Sequence, residues 1–143
     1  MTRRGKMSTY SISEVSKMKG LSHSTLRYYE EIGLLTNVVH EGNRRIYTEE
    51  HLQRLDGILC FKGTNLPINK ILEFYQYEEN LEQNIDDIIQ LVETHEQSII
   101  QEIETLHHYL EHISHKVIYY NKVKEALDRN QRIPSWAEAL GEK

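Results

Sequence analysis

Apolar residues first recur at helical spacing at Ile12, Val15 and Met18, just after Ser11 and Glu14, which fit the S-x-x-E capping box. Lys19-Gly20 breaks that helix, and a second begins three residues later at Ser22, whose side chain can accept from the free N–H groups of a first helical turn. Gly33 can take the left-handed conformation that closes it after about three turns. At 100° per residue, Leu26, Tyr29 and Ile32 or Gly33 share one side of this second helix. His23, Ser24, Arg27 and Tyr28 share the other. Two helices joined by so short a turn make a helix-turn-helix unit, with the second as the DNA recognition helix. A plain helical hairpin has the same spacing.

After Leu35 the helical period stops. Val38-Val39 and Ile46-Tyr47 flank a His-Glu-Gly-Asn turn and then Arg44-Arg45, the pattern of a β-hairpin wing. Thr48 caps a further helix whose first turn holds Glu49 and Glu50, the sign that the macrodipole favours. It runs to about Lys62, ends at Gly63-Thr64-Asn65, and Pro67 opens a short helix through Ile71, Leu72 and Tyr75. The head is expected over 8–77.

From about Glu79 one long periodic helix is expected over 79–128, with no Gly or Pro before Pro134. Ile89, Val92, Ile99, Ile103, Leu106, Leu110, Ile113, Val117 and Tyr120 follow alternating spacings of three and four, and Glu96 fills the single gap, either buried with a partner or, the favoured reading, at the frayed edge of the contact. Such a seam requires a partner helix, and a homodimer through Ile99, Ile103, Leu106, Leu110, Ile113 and Val117 is the simplest. At 1.5 Å per residue the helix spans about 70 Å, enough to hold two heads one DNA turn or more apart. Ile88, Leu91 and Ile100 lie off the seam and are expected against a head. In the last stretch, 129–143, Trp136 with Ile133, Ala137 and Leu140 is expected to dock on the coil.

Charge divides the same way. Residues 1–76 hold eleven Lys/Arg against eight Asp/Glu, and residues 77–143 hold six against fourteen, together the net −5 of the 143-residue chain. The overall pI of about 5.9 therefore hides a basic head, and the charge local to the binding face is what matters for nucleic acid. Residues 1–7, with Arg3, Arg4 and Lys6, read as a flexible basic tail. No apolar run approaches the 18 or so residues of a membrane span, and no secretory pattern is present, so a cytoplasmic location and no membrane partner are expected. His108, His112 and His115 share a helix face but point outward in the heptad frame, so no metal is expected. With no glycine-rich phosphate loop and no nucleophile beside a base, no catalytic residue, cofactor or enzyme activity is expected.

Three strings carry a family likeness: Ser11-Ile12-Ser13-Glu14-Val15, Thr25-Leu26-Arg27-Tyr28-Tyr29-Glu30-Glu31-Ile32-Gly33-Leu34-Leu35, and Arg45-Ile46-Tyr47-Thr48-Glu49-Glu50. The chain resembles MerR-family transcription regulators over nearly the whole head. The expected fold is mainly α, a winged helix-turn-helix head followed by a long dimerisation helix, and the resemblance implies an antiparallel coiled coil. It also implies a dimer that binds double-stranded promoter DNA at a palindrome and distorts it, so that RNA polymerase can use badly spaced promoter elements. The wing departs from the frequent Asn-Gly-Tyr-Arg of the family, reading Gly42-Asn43-Arg44-Arg45. His23 and Ser24 are expected at base edges, Arg27 and Tyr28 at base edges or phosphates, Arg44, Arg45 and Tyr47 at the backbone from the wing, and Lys62 at a phosphate.

Cys60 is the only cysteine, which excludes a disulfide within the chain. The stretch around it is similar to the aldehyde- and thiol-stress-responsive (AdhR/NmlR-type) branch, which implies a sensor thiol modified by electrophiles. A buried apolar filler is the other reading, and Asp56, one turn earlier, would oppose ionisation of the thiol. Two further readings stand beside these: a noncovalent ligand sensed at the junction of head and coil, and a coiled-coil adaptor whose head merely folds.

Overall fold

A computed structural model describes residues 8–141; the basic tail expected over 1–7 lies outside the described residues. The elements in order are β1 (Thr9–Ser11), α1 (Ile12–Lys19), α2 (His23–Glu31), β2 (Val39–Glu41), β3 (Arg44–Thr48), α3 (Glu49–Gly63), α4 (Ile68–Glu79), α5 (Leu81–Asp128) and α6 (Trp136–Leu140). Contacts divide the chain into two units inside α5, at Glu93 and Thr94.

In the first unit the capping box forms in both directions: the Glu14 amide donates to Ser11 Oγ and the Ser11 amide to Glu14 Oε1, each at 3.1 Å. Gly20 ends α1 at φ 66°, a left-handed residue where glycine carries no steric cost. Ser22 caps α2 through the Thr25 amide. Beyond α2, Gly33 at φ 83° turns the chain so that the amides of Leu34 and Leu35 both reach the Tyr29 carbonyl, at 2.8 and 3.0 Å. Two leucines are thereby driven into the core. Met18, expected on the apolar stripe of α1, is exposed instead, because an eight-residue helix closes on the core through Val15.

The sheet has three strands in the order β1-β3-β2, all antiparallel. β1 is absent from the hydropathy reading: three residues are too few for a period-two signal, and pairing with β3 is what makes them a strand. The hairpin turn is narrower than expected, with His40 and Glu41 inside β2 and Glu41 opposite Arg44, which leaves Gly42-Asn43 as the two-residue loop. Gly42 supplies the positive φ of 62°.

Thr48 begins α3, but the reciprocal partner in the third helical position is His51 rather than a carboxylate. The Thr48 amide donates to His51 Nδ1 at 2.9 Å, so Nε2 carries the proton and donates to the Thr36 carbonyl at 2.7 Å. This buried imidazole ties the loop after α2 to the start of α3. On the far side of α3, Gly57 admits α4 at close range: an added Cβ would lie 2.3 Å from the Tyr75 hydroxyl. That hydroxyl donates to the Arg54 carbonyl, and the Arg54 guanidinium lies 4.4 Å from the centre of the Tyr75 ring. The core that results draws Val15, Leu26, Tyr29, Leu34, Leu35, Tyr47, Leu55, Ile58 and Ile71 from the four helices of the head, the loop after α2 and β3.

The second unit holds α5 from Thr94 onward and α6. Ser135 and Glu138 form a capping box on α6, and Arg132 pairs with Glu138 at 2.7 Å. The segment folds back on α5: the Tyr119 hydroxyl donates to the Pro134 carbonyl at 3.0 Å, the Tyr119 and Trp136 rings lie 5.1 Å apart, and Lys122 donates to the Ala139 carbonyl at the C-terminal end of α6. The tail docks through Trp136 and Ala139. Ile133 and Ala137, expected in that contact, are exposed.

Candidate nucleic-acid interface

α2 presents the division of faces that its spacing requires. Leu26 and Tyr29 are buried, His23 is half-buried, and Ser24, Arg27 and Tyr28 are exposed, Tyr28 at 47%. Ser24 Oγ lies 3.0 Å from the capping Ser22 Oγ, which steadies it at the helix start. Arg44 is exposed at the tip of the wing. Among the described residues neither Arg27 nor Arg44 forms an ion pair, and both guanidinium groups retain their donors for a partner.

Strand parity separates the other two wing residues from Arg44. Successive side chains of a strand point to opposite faces, so Arg45 and Tyr47 share a face that Arg44 and Ile46 do not. Tyr47, expected to touch the DNA backbone, is fully buried, its ring 5.8 Å from that of His51. Its hydroxyl has no hydrogen-bond partner among the described residues. Burial pushes the phenol up, while the charges of Arg45 and Arg27 work downward against it and that of Glu30 upward. Tyr47 is a core residue and leaves the set of surface contacts.

Arg45 is half-buried and engaged. Its Nε donates to Glu30 Oε1 at 2.7 Å, and His40 Nε2 lies 2.6 Å from Glu30 Oε2. Burial alone would raise the Glu30 carboxyl, but the hydrogen bonds and charges of Arg45 and His40 outweigh it and hold the carboxyl below its ordinary range. This cluster joins α2 to both strands of the wing and was missed from sequence, where Glu30 is one more acidic residue on a helix surface. Lys62 is exposed on α3, with Nζ 3.5 Å from the Tyr29 hydroxyl.

Cys60 is an exposed, unbonded thiol on α3, so the buried-filler reading fails for it within this chain. One turn earlier on α3, the Asp56 carboxylate pairs with Lys19 at 2.6 Å. On α5 the seam residues Ile103, Leu106, Leu110, Ile113 and Val117 are all exposed, Leu106 at 66%, and Ile99 is half-buried. Ile100, expected against a head, is exposed, whereas Ile88 and Leu91 are half-buried. His108 and His112 are exposed and His115 half-buried; among the described residues no group of three His, Cys, Asp or Glu is placed to hold a metal ion. No helix of the described residues is long and apolar enough to cross a membrane.

The family model described as "MerR HTH family regulatory protein" matches residues 10–78. An uncharacterised HTH-type transcriptional regulator of Haemophilus influenzae is 31% identical over 118 residues, covering 81% of this chain and 87% of that protein. The chain belongs to the MerR family. As a MerR-family protein it is a DNA-binding transcription regulator, not an enzyme. Within the family it is similar to the regulator AdhR of Bacillus subtilis, 36% identical over 64 residues that cover 44% of this chain and 46% of that one. Among solved structures it is similar to HiNmlR, a MerR-family regulator lacking the sensor domain and bound to promoter DNA: the TM-score is 0.76 and the identity 28%, covering 82% of this chain and 90% of HiNmlR.

Proposed function

We propose that this MerR-family chain acts as a homodimer on a palindromic promoter, which it bends or untwists so that RNA polymerase can use promoter elements at an unfavourable spacing. The observation that carries the DNA face is the exposure of Arg27 and Tyr28 on a short capped helix beside Arg44 on the wing. His23 and Ser24 stand at the helix start as candidates for base edges, and Arg44 and Lys62 as candidates for phosphates. Similarity to HiNmlR, whose structure holds promoter DNA, supports the partner. The exposed stripe of α5 supports the dimer, because burying what is exposed of each such side chain recovers on the order of 1 kcal/mol.

The test begins with selection of a duplex from a randomised library using the parent protein. A palindromic product is expected, and Arg27→Ala should weaken binding to it by at least about 1 kcal/mol. A non-palindromic product, or an Arg27→Ala protein that binds like the parent, would overturn the reading.

A promoter-distorting regulator needs a differential energy of a few kcal/mol between two DNA shapes, delivered by some ligand or modification. We propose that electrophile addition to the Cys60 sulfur is that signal. The exposure of the thiol and the similarity to AdhR support it. With benzoquinone as the probe, mass spectrometry should place the adduct on Cys60, and in vitro transcription should change without loss of promoter occupancy. Cys60→Ala should bind DNA and stop responding; an unmodified Cys60 or a fully responsive alanine variant would remove the thiol from the mechanism.

A further inference from the structure

A recognition helix and a wing meet one duplex together only if the angle between them is held, and one side chain of the head makes that connection. Glu30 lies in the last turn of α2, where a carboxylate faces the wrong end of the macrodipole. Helix stability does not explain its place; its partners do. One carboxylate oxygen is 2.6 Å from His40 of β2 and the other 2.7 Å from Arg45 of β3. The strand register sets His40 opposite Arg45, so alternation presents both toward α2, while Arg44, one residue along, presents the opposite way.

We propose that Glu30 is a positioning residue for DNA recognition: it clasps the wing to the recognition helix and withholds Arg45 from the phosphates, leaving Arg44 as the cation of the wing that touches DNA. The side chains of Glu30 and Arg45 are each only 24% exposed, so the pair is shielded from the screening that weakens surface ion pairs. Tyr47 packs beneath it, buried and on the same strand face as Arg45. Freeing Arg45 would have two effects of the same sign on specificity. A sequence-blind phosphate contact is added, and the wing is no longer held at the angle at which base edges are read.

This inference rests on the DNA face proposed above, and its test separates the two. Binding of the parent and variants to the library-selected duplex, and to a random-sequence duplex of equal length, is titrated against salt. Arg44→Gln should reduce the slope of log affinity against log salt by about one for each protomer on the DNA. Arg45→Gln should leave that slope at the parent value and reduce the ratio of selected to random affinity about tenfold. Glu30→Gln, which keeps the shape of the side chain, should steepen the slope by about one per protomer, tighten random-sequence binding and reduce the ratio. An Arg45→Gln protein whose slope flattens as far as that of Arg44→Gln would show Arg45 on a phosphate and overturn the proposal. So would a Glu30→Gln protein, folded by circular dichroism, with the slope and ratio of the parent. If Arg27→Ala and Arg44→Gln both bind like the parent, the face itself is misassigned and the clasp falls with it.

Discussion

The head and the second half of α5 treat apolar side chains in opposite ways. In the head, Leu26, Leu34, Leu35, Leu55 and Ile58 are no more than 1% exposed, and the surface presents Arg27 and Arg44, which form no ion pair among the described residues. Along α5, Leu106, Leu110, Ile113 and Val117 are each more than half exposed, in a stretch whose charge is acidic. The first region has closed its own core and has charge to spend on a polyanion. The second leaves its apolar stripe open to solvent. Averaging the two gives the acidic pI of the whole chain, which describes neither.

The comparison breaks most visibly at the open stripe. Leu110→Asp would place a charge between two helices if α5 pairs with a copy of itself, a loss of several kcal/mol per dimer. Sedimentation should then show a monomer whose head still melts cooperatively; a variant that remains dimeric would locate the interface elsewhere. In the closed core the change of the same kind is Leu26→Ala. With Leu26 fully buried on the inner face of α2, it should cost the head about 2–5 kcal/mol in chemical denaturation while leaving self-association intact.

Much of this division was legible in the chain. The capping box at Ser11 and Glu14, the cap at Ser22 and the three-four spacing of α5 are local patterns, and local patterns survive folding. What escaped depends on contacts far along the chain. β1 exists because Tyr10 pairs with Tyr47, and His51 fills a capping role that a pattern search reserves for Glu or Gln. Glu30 finds partners ten and fifteen residues away, on strands whose register was not yet known. Tyr47 is the instructive error. Alternation alone forbids Arg44, Arg45 and Tyr47 from sharing one face, and packing decides that Tyr47 is the one turned inward.

Two smaller effects sharpen that correction. Tyr47→Phe removes a buried hydroxyl with no hydrogen-bond partner among the described residues, so stability should hold or rise by about 1 kcal/mol and DNA affinity should not fall. A marked loss of binding would return Tyr47 to the DNA face. The Glu30 carboxyl, held below its ordinary range by Arg45 and His40, contributes stability that is present above the unfolded value of about 4.3 and is lost as pH falls through the lower folded value. Acid titration of the parent should therefore show a larger stability loss below about pH 5 than Glu30→Gln shows; parallel curves would mean that the clasp adds nothing to folding.

The central claim, that two copies of this head read one duplex through α2 and the wing, is tested most directly by hydroxyl-radical footprinting on the library-selected DNA. Two protected patches related by a dyad, both weakened by Arg27→Ala and both lost with Leu110→Asp, are the expected result. A single patch, or a footprint indifferent to either substitution, would contradict it.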